Sequence, residues 1–227
     1  MQRILGKKIY QPGNLGGKGH RLTKLVRPGL TPPFFIVADS VWRDALKGNQ
    51  AIQAALKSRT RGRSGLKEVK RLLPGFELPR ETKNRIARQA RRLGGYLIVR
   101  SSFALEDAGS RSYAGLFDSV VVRQPDKLEQ AIKRVWASQF NERAKAYPPG
   151  RSGPAPGMAV IVQKYIAPDY SGVVFYQAKE QGFYVEYCPK NHSAVENGTV
   201  KPLSFFWKNE YPYFGSAKSQ EHEEWLR

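Results

Sequence analysis

Residues 96–123 read YLIVRSSFALEDAGSRSYAGLFDSVVVR, and no other stretch constrains the fold as much. A short apolar run, Leu97–Val99, stops at Arg100, residues 101–115 are mostly small, polar or glycine, and a second β-rich run begins at Ser119. A buried strand that ends in an arginine fixes the base of a cationic side chain whose paired donors match phosphate oxygens. A soft loop placed straight after it, Ser101–Gly115, suits closure over the same ligand and exclusion of water. The same residues also describe an ordinary surface loop in which Arg100 pairs with Glu106 or Asp107.

The remaining periodicities predict a mixed chain. PPFFIVA (32–38) reads as a strand entered through two prolines, and Ser40 is placed to cap a short helix over Val41–Leu46. Residues 50–57 and 64–73 read as short helices. Residues 80–93, RETKNRIARQARRL, carry a thin apolar stripe (Ile86, Ala90, Leu93) and a wide basic face. From Asp126 onward, Leu128, Ala131, Ile132, Val135, Trp136 and Phe140 keep the 3.6-residue period, with Asp126 and Glu129 at capping-box spacing. A Pro- and Gly-rich segment, 148–157, precedes strand-like runs at 158–166, 172–178, 183–188 and 199–207, read together as one mostly antiparallel sheet. The expected fold class is therefore α+β in two lobes, with a basic lobe over 1–157 and a sheet lobe over 158–227.

Two further segments are candidates for ligand contact. Gly16-Gly17-Lys18-Gly19 precedes a helical pattern (Leu22, Leu25, Val26); glycines there permit close backbone approach to an anion, and Lys18 adds a point charge. It is not a Walker loop, because no Ser or Thr follows the lysine. Gln163-Lys164-Tyr165-Ile166 ends one strand before APDYSG turns into the next, where backbone groups are placed to meet a flat base. Trp207, Tyr211, Tyr213 and Phe214 suit either base stacking or packing around a Pro212 turn.

Charge adds a polyanion to the expectations. Residues 1–100 hold 23 Lys/Arg against 5 Asp/Glu, whereas residues 101–227 hold 15 against 14. Nucleotide phosphates, nucleic acid or an acidic surface all suit such a lobe, as does a merely well-solvated face. No run approaches the roughly 18–20 apolar residues of a membrane span, and Met1–Lys8 has no apolar signal-peptide core. His20, His192 and His222 lie far apart and Cys188 stands alone, so zinc spacing and internal disulfides are excluded. Cys188 is expected to be an inert small hydrophobe in a reducing, cytoplasmic compartment.

Four stretches, in this order, resemble the nucleotide-binding domain of the pyruvate phosphate dikinase and phosphoenolpyruvate synthase family. They are GGKGHRLTKL with PPFFIV, VRSSFALEDAGSRSYAGLFDSVVV, LEQAIKRVWASQFNERAKAY, and GMAVIVQKYIAPDYSGVVF. The resemblance spans about residues 12–178 and implies an ATP-grasp fold and phosphoryl transfer from ATP. It implies Lys18 and Arg100 as triphosphate ligands with catalytic roles. It also implies a phosphate-covering lid around Gly109, Ser110, Ser112 and Gly115, and an adenine hinge at Gln163, Lys164, Tyr165 and Ile166. The family's ribose-holding Gly-x-Gly-Glu element is replaced here by CPKNHSAVENGTVKP, with Glu186 and Glu196 nearby. Mg²⁺ is implied, but the family's metal-binding acid, its closing Leu-Gln-x-Arg-Pro strand and its phospho-accepting histidine have no counterpart before Arg227. Further domains or a partner chain are thus expected to complete the transfer, and little ATP cleavage is expected of the chain alone. The alternative expectation is a nucleic-acid-binding or non-catalytic scaffold built on the same fold.

Overall fold

A computed structural model describes residues 3–5, 12–27, 31–58, 63–103, 117–141, 158–189, 199–208 and 211–214. The chain divides into two compact units, Met1–Ile166 and Ala167–Arg227.

The first unit is built on a five-stranded sheet in the order β1-β2-β5-β3-β4. The strands are β1 (Arg3–Leu5), β2 (Phe34–Val37), β3 (Leu97–Phe103), β4 (Ser119–Val122) and β5 (Met158–Lys164). β1 runs parallel to β2, and the other pairings are antiparallel. β5 lies between β2 and β3, in register Phe34↔Gln163 and Ile98↔Gln163. This corrects two expectations. The strand at 158–164 belongs to the first sheet, not to the C-terminal one, and the division of the chain falls after Ile166 rather than at 157/158. The burial of β5 from Met158 to Gln163 accounts for its near-continuous apolar sequence, as expected of a strand covered on both faces.

Side-chain alternation sends β3 and β5 residues to two different cores. Val99, Phe103, Met158, Val160 and Val162, with Phe35 and Val37, face the larger one. That core is closed by α2 (Asp39–Lys47), α3 (Gln50–Ser58), α4 (Arg63–Leu72), α5 (Arg80–Leu93) and α6 (Leu128–Ser138). Trp136 anchors it: the indole is fully buried, its Nε1 donates to the Met158 carbonyl at 3.0 Å, and its ring centroid lies 5.0 Å from that of Trp42. The opposite face carries a smaller cluster of Leu15, Phe34, Ile36, Ala159 and Ile161, with Leu22 packed against it; Leu15 and Leu22 come from α1 (Pro12–Lys24).

Both helix-start expectations are revised. α2 begins two residues early, at Asp39, with Ala38 at the cap position and no side-chain cap bond; Ser40 lies inside the helix with a buried hydroxyl lacking a partner among the described residues. Asp126 and Glu129 make no capping box, because residues 125–127 form a 3-10 turn and α6 starts at Leu128 without a side-chain cap. Glu129 serves tertiary structure instead. Its carboxylate accepts from the Leu78 N–H at 3.3 Å and pairs with Lys133 at 2.9 Å and Lys83 at 3.4 Å. Burial pushes this carboxyl up, but the bonds from Lys133 and Leu78 and the two lysine charges outweigh it, so the net displacement is downward. A group whose pKa falls on folding stabilises above its unfolded value, about 4.3 for Glu, and loses that contribution as pH drops through the lowered value. Glu129→Gln is therefore expected to cost about 1 kcal/mol at pH 7. The gap to wild type in urea unfolding should close as the pH is taken below about 4.

The second unit is an antiparallel sheet of four strands, β6 (Tyr170–Gln177), β7 (Gly182–Pro189), β8 (Leu203–Lys208) and β9 (Tyr211–Phe214), paired in chain order. β9 was not expected as a strand; it pairs with β8 in register Trp207↔Pro212. Gly172 is required by close packing, since a Cβ there would sit 2.1 Å from the Glu186 carbonyl oxygen of β7. Cys188 is buried on β7 and forms no disulfide, and Trp207 is half exposed on β8. Among the described residues, no helix is long and apolar enough to cross a membrane.

Candidate functional site

The smaller core lies beside the residues singled out for phosphate contact. Arg100 does not end its strand: β3 continues through Ser101, Ser102 and Phe103, pairing with β5 as far as Phe103↔Met158. Ile98, Arg100 and Ser102 alternate onto the face that α1 covers. Ser102, fully buried, is the seat of α1. Its hydroxyl donates to the Leu15 carbonyl at 2.6 Å and accepts from the Gly19 N–H at 2.7 Å.

Gly16 interrupts α1 with φ 69° and ψ 167°, a conformation essentially confined to glycine. A Cβ at this position would lie 2.0 Å from the Ser102 carbonyl oxygen, so backbone rests directly on backbone. A Cβ on Gly19 would meet Ser102 Oγ at 3.1 Å and Ile36 Cδ1 at 3.2 Å. The glycines of GGKG thus owe their identity in part to β3, and the Gly19 N–H is committed to Ser102 rather than open to an anion. Lys18, between these contacts, is exposed. The backbone at Lys18 is consequently held over Ser102, two residues from Arg100, a span of about 6.6 Å along an extended strand.

Arg100 is half-buried and braced. Its Nη1 donates to Gln163 Oε1 at 3.4 Å, and Gln163 Nε2 donates in turn to the Pro32 carbonyl at 3.1 Å. Gln163 is 6% exposed, so this amide orients the guanidinium from beneath. Of the other hinge candidates, Lys164 and Tyr165 already use their backbone N–H groups, on the Pro33 and Tyr96 carbonyls at 2.9 and 2.8 Å. The Ile166 side chain is exposed just beyond the end of β5. Gly109, Ser110, Ser112 and Gly115 lie outside the described residues, as do Asn191, His192, Ser193 and Glu196.

Sequence reading thus put Lys18, Arg100 and Gln163 on segments that the fold places around one sheet face. It missed Ser102 as the joint between them; the signal was present as the period-2 continuation Leu97, Val99, Ser101, Phe103. Ser102→Ala leaves the Gly19 N–H buried without its acceptor and is expected to cost about 1–3 kcal/mol in urea unfolding. Among the described residues, no three His, Cys, Asp or Glu side chains gather as a metal-holding group. The implied Mg²⁺ therefore finds no protein cage in them, and no chemical step is assigned to it.

Comparison with known proteins bears on this arrangement. A family model for the pyruvate phosphate dikinase AMP/ATP-binding domain matches residues 13–213. The chain is 31% identical over 211 residues, 89% of its length, to the "Prodigiosin synthesizing transferase PigC" of Serratia marcescens. It is 30% identical over 176 residues, 71% of its length, to a rifampicin phosphotransferase of Bacillus cereus. Over 217 residues, 86% of its length, it is 25% identical to a probable phosphoenolpyruvate synthase of Methanothermobacter thermautotrophicus. These relatives are much longer, and the matched regions span 23%, 20% and 32% of them respectively. With a match that enters both sheets and includes the α1, β3 and β5 segments, the chain belongs to the pyruvate phosphate dikinase AMP/ATP-binding domain family.

Proposed function

We propose that this chain binds ATP against the α1-covered face of the first sheet and presents its phosphates for transfer. In this reading Lys18 and Arg100 neutralise the triphosphate, and the end of β5, Gln163–Ile166, meets the adenine. The observation that carries it is the seating of Gly16–Gly19 on Ser102, which ties the lysine segment to the strand that bears the braced Arg100. A buried amide lies beneath the guanidinium, in long hydrogen-bond contact at 3.4 Å, and favours its orientation before ligand arrives; preorganised charge is what phosphoryl transfer asks of a protein. Gly109, Ser110, Ser112 and Gly115 would cover the phosphates. Mg²⁺ would accompany the nucleotide, its protein ligands coming from elsewhere. Further domains or a partner chain would supply the phospho-accepting histidine and the final acceptor, in keeping with the short share of each relative that this chain matches. Such a phosphotransferase would work in the reducing cytoplasm, where the buried Cys188 thiol persists.

Isothermal titration with ATP and Mg²⁺ tests the binding step: saturable one-to-one heat is expected, and no heat from a chain shown to be folded overturns it. One observation favours a second reading. α5 carries Arg80, Lys83, Arg85, Arg88, Arg91 and Arg92 against Glu81 alone, a face suited to RNA or DNA. Gel shifts that are strong at about 50 mM salt and lost by about 200 mM would support it. ATP binding without any shift would exclude it.

A further inference from the structure

Among the described residues, the larger core reaches solvent at a cavity that the nucleotide reading does not use. A cavity of about 410 Å³ lies between α5, the Gly94–Leu97 entry to β3, and the 3-10 turn that leads into α6. That volume falls within the usual range for small-molecule pockets, about 300–1,000 Å³. Its floor is Leu78, Ile86, Ala90, Leu97 and Leu128, all buried members of the larger core. It therefore sits on the sheet face opposite Arg100.

The rim carries charge of both signs, and its acids are already answered. Glu129 is held by Lys83 and Lys133, and Asp126 pairs with Lys127 at 3.4 Å. Arg91 and Arg123 also line the cavity, and neither has an ion-pair or hydrogen-bond partner among the described residues. An apolar floor in a cavity also lined by two arginines suits an apolar chain or ring ending in an anionic group that arginine takes bidentately, here a carboxylate. Gly94 and Gly95 (φ 63° and 65°) turn the chain at the mouth, and a Cβ on either would meet nothing within 4 Å, so the entrance is open.

We propose that this cavity is a binding site for a small amphipathic carboxylate, separate from the nucleotide site and independent of it. Octanoate is the probe, with n-octanol and octylammonium as neutral and cationic counterparts, titrated calorimetrically into the 227-residue chain. Octanoate is expected to saturate at one site and to bind at least tenfold more tightly than octanol. Ala87→Phe, which fills the cavity from α5, should weaken octanoate at least tenfold. Arg91→Glu with Arg123→Glu, two exposed positions where folding is not at stake, should weaken octanoate similarly and favour octylammonium. ATP titrations of the same variants should match wild type, which separates failure of this site from failure of the nucleotide reading. Equal binding of octanoate and octanol, octanoate affinity unchanged in the double charge reversal, or no saturable octanoate binding would overturn the proposal.

Discussion

Lys18→Ala and Arg100→Ala are each expected to weaken ATP binding by about 10- to 100-fold. A charge-assisted hydrogen bond to phosphate contributes about 1.5–3 kcal/mol, and each 1.4 kcal/mol is a factor of ten. Little of the loss should come from unfolding. Lys18 is exposed, and the bond from Arg100 to Gln163 is long, at 3.4 Å. AMP should be affected less than ATP by either change, because it lacks two of the three phosphates that the two cations are proposed to neutralise. Arg100→Lys should recover only part of the loss, since an ammonium keeps the charge but not the planar fork. Parallel titrations of the three variants with ATP and AMP, with melting temperatures alongside, check this. Equal ATP affinity in wild type and both alanine variants would remove Lys18 and Arg100 from the site.

The second large effect concerns the seat of α1. Gly16→Ala places a methyl group 2.0 Å from the Ser102 carbonyl oxygen at a φ of 69°. The backbone strain alone is of order 1–3 kcal/mol, and the overlap is relieved only if α1 lifts from β3. Stability should fall by roughly 3–5 kcal/mol, the range of the most damaging single substitutions. α1 amides should then lose protection from hydrogen exchange, and ATP affinity should fall with them because Lys18 is no longer tethered. Gly19→Ala is the control. Its Cβ meets a hydroxyl and the end of an isoleucine side chain at 3.1 and 3.2 Å, contacts that a shift of a few tenths of an ångström accommodates. A helical alanine also recovers up to about 1 kcal/mol relative to glycine, so Gly19→Ala should be far milder. Equal effects of the two substitutions would contradict the backbone-on-backbone contact.

Much of this architecture was legible from local pattern. The apolar stripe of α5 and the 3.6-residue period of α6 led to helices that bury Ile86, Ala90, Leu128, Ile132, Val135 and Trp136 as expected. The errors have physical causes. The sequence pattern ends β3 at Arg100 because Ser101 and Ser102 look like loop residues, whereas the strand runs to Phe103. Both are buried, and the hydroxyl of Ser102 is satisfied by α1, a segment 83 residues away in sequence at Gly19. Local pattern groups β5 with the C-terminal strands, whereas the fold pairs it with β2 and β3, because strand partners are chosen by tertiary packing and alternation reports only that a strand exists. The apparent capping box failed because Glu129 has stronger partners in Lys133, Lys83 and the Leu78 N–H than the helix end offers. For the site, residue chemistry made Lys18 and Arg100 candidates beside plainer readings, and the family resemblance is what implies them as triphosphate ligands. Local pattern held no trace of Gln163 as a brace, since that role depends on the Ile98↔Gln163 register.

A crystal structure of the chain soaked with a non-hydrolysable ATP analogue tests the central claim most directly. The account predicts triphosphate density over the α1 side of β3, within hydrogen-bonding reach of both Lys18 Nζ and the Arg100 guanidinium, with the base at the end of β5. Nucleotide on the α5–α6 side of the sheet, or phosphates touching neither cation, would contradict it.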